Sequence, residues 1–430
     1  MGKHGDLLAR HKEVLPSWMA LYYQEPIALV DGEGRRVSDA EGNEYLDFFG
    51  GILTTMSGYR VPEVIAAIKA QADKMLHTST LYLIENQIEL AEKIADLSGI
   101  PDAKVFFTNS GTEANDAALM LATQYRKSNQ VLAIRGSYHG KSHSTVAITG
   151  QKAWSATSLY PFNVVYVHGG YKLRSPFGNL PDDEFVAACV NDLRDLLGVA
   201  TAGDVAAMIA EPIQGVGGFA TPPDGFFGAM KEVLDHHGIL FISDEVQTGW
   251  GRTGEHFWGY QAHGITPDIL TFAKGLGNGL AMAGVVARAE VMDCLQANSI
   301  STFGGNPLAT AGALANLEYV LEHDLQTNAY KVGNQLKDGL HHIADEVPEI
   351  IEVRGKGLMI GVEIGDPENL TPNVALTAAV MEAAKSEGLL IGKGGLHGNT
   401  LRIAPPLSVT EEEVAEGLGK LKRAFDRARE

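Results

Sequence analysis

Cysteine is almost missing from this chain. Among 430 residues only Cys189 and Cys294 occur, and they form neither a CxxC pair nor a zinc-ligand spacing. A disulfide-stapled fold and a structural zinc site are therefore not expected. Cys189, within Ala187-Ala188-Cys189-Val190, reads as a small core residue. Long apolar runs are missing as well. None reaches the ~18 residues that a membrane helix needs, so no membrane partner is expected. Positive charge is scarce: 34 Lys and Arg face 53 Asp and Glu, a net charge of −19. Such a field repels a phosphate backbone and argues against general nucleic-acid binding. Screening within about 10 Å at 0.1 M salt still lets local basic groups hold small anions. No repeats, low-complexity tracts or flexible linkers stand out. The polar start Met1-Gly2-Lys3-His4-Gly5-Asp6 does not read as a signal peptide, and the expected compartment is the cytoplasm.

What is present is ordinary for a globular protein: 45% hydrophobic and 20% charged residues. The length predicts about two domains. Glycine, at 49 residues, exceeds the usual ~7% and suits an α/β protein whose backbone approaches a ligand closely. Residues 1–24 read as an arm with Trp18, Leu21, Tyr22 and Tyr23 as anchors, and 25–50 as a small meander. Helices are then predicted from Pro62 to about His77 and over 85–97, with Pro62 at a first turn. The run 104–107 reads as a buried strand and 111–125 as the helix after it. Further strands fall at 131–134, 164–167, 206–210, 239–242 and 269–272, with helices such as 224–237 between them. This rhythm predicts a mostly parallel sheet covered by helices on both faces.

Beyond a helix at 306–323 the texture becomes α+β. A helix at 326–346 leads to strands over 350–364, a helix near 373–387, strands at 389–392 and 400–403, and a closing helix from about 410. The expected division is an N-terminal arm and meander (1–59) belonging to a small domain, a large domain (60–325), and the remainder of the small domain (326–430).

Four segments carry chemistry. Thr108-Asn109-Ser110-Gly111-Thr112-Glu113 joins a strand to a helix, and free N–H groups there with the helix dipole suit a phosphate. An ordinary capped helix start, with Ser110 or Thr112 as the cap, explains that segment equally well. Asp244 ends the apolar run 239–242 and stands where ligands of open α/β sheets bind; a helix-cap aspartate is the plainer reading. Lys274 ends the run 269–272 and enters Gly275-Leu276-Gly277-Asn278-Gly279. Burial there lowers a lysine pKa, as a Schiff-base lysine requires, whereas a snorkelling surface lysine would not follow a wholly apolar run. Arg402 interrupts the apolar strand 400–403, and its planar fork suits a carboxylate or a structural ion pair. Together these are the parts that pyridoxal 5'-phosphate and an amino-acid substrate need.

On these segments, and on Asp-Glu-Val-Gln-Thr-Gly-Trp-Gly-Arg-Thr-Gly from Asp244 to Gly254 followed by Phe-Ala-Lys-Gly at 272–275, the chain resembles the class III, or ω-, aminotransferases. These are fold-type-I pyridoxal-phosphate enzymes with a large mostly parallel α/β domain and a smaller α+β domain. The resemblance runs from Leu46 to the last helix. It implies that Lys274 holds the cofactor and that Asp244 pairs with its ring nitrogen. Val246 would pack on one ring face, Gln247 would bond the phenolic oxygen, and Tyr138, beside His139, would stack on the other face. Ser110, Gly111 and Thr112 would hold the phosphate. Thr302 would reach the phosphate of a neighbouring subunit, implying a homodimer with shared sites. Glu211 would pair with Arg402 whenever no substrate carboxylate is there.

Two rivals remain. Gly136-Ser137-Tyr138-His139-Gly140-Lys141-Ser142 looks like the phosphate loop of a nucleotide hydrolase. It has three residues where that pattern has four, and 144–148 favour strand over the required helix. Racemases, mutases and decarboxylases share the cofactor; the implied Glu211–Arg402 pair favours transamination. For substrates, the stretch from Gly392 to Asn399 looks like the alanine–glyoxylate type 2 and β-alanine–pyruvate branch. Members acting on 4-aminobutyrate or acetylornithine with 2-oxoglutarate tend to carry Arg where this chain has Lys141, a point charge without the fork. Alanine or β-alanine as donor and glyoxylate or pyruvate as acceptor are expected, by a ping-pong route.

Overall fold

The computed structural model describes residues 3–430; Met1 and Gly2 of the expected arm lie outside them. At its centre is a seven-stranded sheet in the order Ala103–Thr108, Ala283–Arg288, Ile269–Phe272, Leu240–Asp244, Ala207–Ala210, Gln130–Ile134, Asn163–Val167. Neighbours run parallel except around Ala283–Arg288, which is antiparallel to both flanking strands. Strand alternation sorts the core into two faces. Val131 and Ala133 point to the face covered by Ala117, Ala118 and Leu121 of the helix Gly111–Arg126. Leu132 and Ile134 point to the other, where Phe185 and Cys189 of Asp182–Val199 meet Phe226 and Met230 of Phe226–His236. Both faces are covered, and so the central strands are apolar throughout.

The antiparallel strand Ala283–Arg288 was not foreseen. It follows the glycine-rich turn after Lys274, and a connection that short can return antiparallel without a helical crossover. Asn316, wholly buried on the helix Pro307–Glu322, fixes this turn. Its Nδ2 donates to the carbonyls of Gly275 and Leu276, both at 3.0 Å, and its Oδ1 accepts from the Ser57 hydroxyl at 2.6 Å.

Ile350–Lys356, Met359–Ile364, Thr400–Ile403 and Gly392–Gly394 form a second, antiparallel sheet. The helices Leu325–Glu346, Val374–Ser386 and Glu411–Arg429 accompany it. The N-terminal strands Leu29–Glu33, Arg36–Asp39 and Glu44–Asp47 form a third sheet with Leu389–Leu390, which runs parallel to Glu44–Asp47. The two ends of the chain thus share one sheet.

Two local expectations need correction. Trp18 and Leu21 do not anchor the arm, being 80% and 46% exposed. Tyr22 and Tyr23 do: the Tyr22 ring packs 5.6 Å from that of Phe49, and the Tyr23 hydroxyl donates to the Ile391 carbonyl at 3.4 Å. Their rings combine apolar area with a polar tip, so they can be buried with a partner. Residues His143–Ala147 are a short helix, not a strand. Ser142 and Thr145 form a reciprocal capping box at its start, and that local bonding outweighs the β-preference of the following side chains.

Replacing Asn316 with Ala should cost about 2–4 kcal/mol, since two carbonyls and a hydroxyl lose their buried partner. Denaturant unfolding of wild type and variant at equal cofactor content measures it.

Candidate active site

Asp244 is the last residue of its strand and is buried. Its Oδ2 accepts from Asn115 Nδ2 at 2.8 Å and lies 2.7 Å from His139 Nδ1, while Oδ1 accepts from the Val246 N–H at 3.1 Å. Asn115 also donates to the His139 carbonyl at 2.8 Å, and its Oδ1 accepts from the Thr271 hydroxyl at 2.7 Å. Thr271 stands opposite Asp244 in the strand register. The carboxylate is therefore held from a helix, a loop and the adjacent strand. The other ring nitrogen of His139, Nε2, is buried and has no partner within the chain.

Asn115 and Thr271 carry this network, yet sequence reasoning gave them no role. One signal was available. Asn115 interrupts the otherwise apolar buried face Ala114, Ala117, Ala118 and Leu121 of its helix, and a buried amide needs partners.

Lys274 follows three residues beyond Thr271. Its φ of 48° is left-handed, a strained value for a side-chain-bearing residue. Burial lowers its amine most; the Asp244 carboxylate raises it, the Arg402 guanidinium lowers it and Glu211 raises it, leaving it at about 8. Glu211 responds in the opposite sense. Burial pushes its carboxyl up, His139 pulls it down and Asp244 pushes it up again, to about 7.

Ser110 caps the helix Gly111–Arg126: its hydroxyl accepts from the Glu113 N–H at 3.3 Å. The first turn of that helix faces the cavity. The loop carrying Tyr138 and His139 passes beside it, and only glycine serves at 140. Its φ is 141°, and a Cβ would come within 2.5 Å of Thr112 Oγ1 and 2.6 Å of Thr145 Oγ1. The Tyr138 ring meets Trp154 edge-on at 5.4 Å. Gln247 presents a buried, unpartnered Oε1.

One cavity of about 170 Å³ gathers all of the predicted site residues but two. Arg402 lies beyond its wall, buried, yet close enough for its charge to act on Lys274. Thr302 is exposed on a loop, outside the cavity of its own chain. Lys141 is also exposed.

The Glu211–Arg402 pair is not formed. Glu211 instead accepts the N–H groups of Tyr138, at 2.9 Å, and Gly215, at 2.8 Å. Arg402 donates to the carbonyls of Lys393 at 3.1 Å and Gly215 at 3.3 Å and to the Tyr22 hydroxyl at 3.0 Å. It also packs on the rings of Phe49 and Phe219, 4.9 and 5.5 Å from their centroids. Backbone donors satisfy the carboxylate where it stands, and neutral acceptors satisfy the guanidinium. The pair thus gives no support to transamination over the other reactions of the same cofactor.

Comparison with known proteins supplies that support. Residues 20–425 match the family model described as aminotransferase class-III. The chain is 41% identical over 416 residues to alanine–glyoxylate aminotransferase 2 homolog 2, mitochondrial, of Arabidopsis thaliana, covering 95% of this chain and 84% of that one. It is 35% identical over 436 residues to the 4-aminobutyrate aminotransferase GabT of Escherichia coli strain K12, covering both chains fully (100%). A PLP-bound amine transaminase from an uncultivated Pseudomonas species has a similar structure, with a TM-score of 0.90 and 29% identity over 96% of this chain and 98% of that one.

The depressed lysine makes a kinetic prediction. At pH 7 about one amine in ten is neutral with a pKa near 8, against about one in three thousand at 10.5. Capture of pyridoxal phosphate by the apoprotein should therefore accelerate from pH 7 to 9 and level off, with a midpoint near 8. Stopped-flow absorbance measures this, and a rate still climbing at pH 10 would contradict it.

Proposed function

The chain belongs to the class III aminotransferases, and within that family we propose that it passes the amino group of alanine or β-alanine to glyoxylate or pyruvate, with Arg402 as the carboxylate clamp. As a member of that family it is a pyridoxal-phosphate-dependent transaminase. The cavity fits the cofactor: a helix N-terminus at Ser110, Gly111 and Thr112 for the phosphate, a fixed carboxylate for the ring nitrogen, and a strand-end lysine for the aldehyde. The orphaned Gln247 oxygen on the same wall marks an amide that lacks a partner within the chain. On Gly111, a Cβ would press on the Val246 methyls at 3.2 Å, so glycine there leaves Val246 its place beside the phosphate turn.

When bound, the cofactor supplies an electron sink for the carbanion left on a substrate carbon. The protein's own residues do the rest. Lys274, near pKa 8, would hold the cofactor's aldehyde and, with its amine free, would serve as the base for the proton on the substrate's amine-bearing carbon. Asp244, oriented by Asn115 and His139, would hold the proton on the ring nitrogen. The second half-reaction runs the same steps backwards from the keto acid.

Arg402 carries the substrate reading. All three of its polar partners are neutral, so no protein carboxylate competes for the guanidinium, and a substrate carboxylate would add the charge partner that favours a buried cation. Because Glu211 is satisfied elsewhere, Arg402 needs no release before a carboxylate enters. That favours small substrates whose carboxylate stands close to the reacting carbon in both half-reactions. A distal carboxylate would need a second grip, and Lys141 is exposed and does not line the cavity. The Arabidopsis relative's name agrees with this choice; the Escherichia coli relative supports the alternative, 4-aminobutyrate or acetylornithine with 2-oxoglutarate.

A homodimer belongs to the same reading. Leu81, Tyr82 and Leu83 are 74%, 70% and 92% exposed, and Ile300 and Phe303 flank Thr302 at 54% and 59%. Apolar side chains exposed in such number mark a binding surface, and a second copy covering them would bring Thr302 to the neighbour's phosphate. Both cysteines are free thiols, which suits a reducing compartment such as the cytoplasm.

Three variants, a substrate panel and light scattering test the proposal. Lys274→Ala should abolish turnover while phosphate-anchored cofactor still binds. Arg402→Ala should raise KM for glyoxylate or pyruvate at least about 30-fold; a donor–acceptor panel showing 4-aminobutyrate with 2-oxoglutarate only would transfer the assignment to the alternative. Thr302→Ala should loosen the cofactor severalfold, although Thr302 lines no part of its own chain's cavity, and a monomer by light scattering would refute the shared site.

A further inference from the structure

Arg402 stands on a strand whose placement is governed by charges outside the cavity. On the adjacent strand, Glu363 is fully buried and faces Thr400 in the register. Its Oε1 accepts from Arg174 Nη2 at 2.7 Å, Arg174 Nε at 2.9 Å and Asn399 Nδ2 at 3.3 Å. Its Oε2 accepts from Arg354 Nη1 at 2.5 Å and from the Tyr171 hydroxyl. Arg354 in turn pairs with Glu352 and donates to the Gly218 carbonyl through Nε at 3.0 Å and Nη2 at 2.8 Å. Two guanidinium groups and two carboxylates balance, so the cluster adds no net charge to compete for Arg402's ligand.

Gly218 belongs to the loop that supports both Arg402 and Glu211. In that loop the Gly215 carbonyl accepts from Arg402 and the Gly215 N–H donates to Glu211. Phe219 offers its ring to the Arg402 guanidinium. There is little slack. A Cβ on Gly218 would meet Thr400 Oγ1 at 2.8 Å and Arg354 Nη2 at 3.0 Å, and one on Gly361 would meet the Gly218 carbonyl at 2.5 Å. Stability alone is a weak reason for such a cluster, because well-packed apolar residues can replace buried ion pairs at no loss. What apolar residues cannot supply is direction. Glu363 ties Arg174 and Tyr171, which follow the central sheet, to the strand of Arg402, and Arg354 extends the tie to the loop beneath it.

We propose that Glu363, acting through Arg354 and Gly218, is a positioning residue that sets where the Arg402 guanidinium stands, and so governs affinity for carboxylate substrates without touching them. This rests on the reading of Arg402 as the clamp.

The test uses holoenzyme and a keto acid, with Arg402→Ala as the benchmark. Glu363→Gln should raise the keto-acid KM about 10-fold while kcat stays within about twofold. Visible spectrum and cofactor retention should match wild type, which a general loss of packing would not allow. Tyr171→Phe, which removes one hydroxyl from Glu363 and keeps the ion pairs, should raise KM about threefold, and it decides alone if Glu363→Gln does not fold. An unchanged KM in the folded variants while Arg402→Ala raises it would overturn the positioning role. A joint fall of kcat, affinity and cofactor retention would overturn it too, leaving a structural role only. If Arg402→Ala itself leaves KM unchanged, the clamp reading fails and this inference goes with it.

Discussion

Everything in the site is built around one buried carboxylate. Asp244 leaves the sheet at a strand end, where backbone pairing stops, and is gripped by an imidazole, an amide and a backbone N–H. Inside the protein such bonds are strong and polarise one another, and an unpaired carboxylate would be very costly. The network therefore fixes orientation as well as charge. Through Asn115 it reaches Thr271 on the next strand, and three residues later the chain presents Lys274. The carboxylate and the lysine thus take their separation from the spacing of two adjacent parallel strands, a rigid dimension of the fold.

The remaining charges tune one another across that frame. Arg402 adds to the burial that lowers the Lys274 amine, while Asp244 adds to the burial that raises Glu211. Both groups end between 7 and 8. A lysine amine held near 8 can act as a base close to neutral pH, the condition that favours general acid–base chemistry.

Much of this was readable before any coordinates. The buried strands 131–134 and 269–272 stood out because a sheet covered on both faces demands unbroken apolar runs, the edge strand 164–167 stood out by the same apolar run although it is only partly buried, and Asp244 and Lys274 stood out as charges ending two buried runs. The strand Ala283–Arg288 escaped because its antiparallel return obeys connection length, not composition. The helix His143–Ala147 escaped because two hydroxyls capped a segment of β-preferring residues. Asn115 carried no assigned role, since a polar residue on a helix has no evident purpose until its neighbours are known.

The residue types themselves determined the chemistry: a lysine and an aspartate at strand ends, a small-residue turn before a helix and an arginine in an apolar strand are a local pattern, and local patterns survive in one dimension. Only the tertiary structure decided how those charges pair. Whether Glu211 meets Arg402 or two backbone N–H groups, and whether Glu363 holds the strand of Arg402 from one position across, depends on distances of a few ångströms between segments up to about two hundred residues apart. Electrostatic and hydrogen-bond energies change steeply over such distances, and sequence spacing does not encode them.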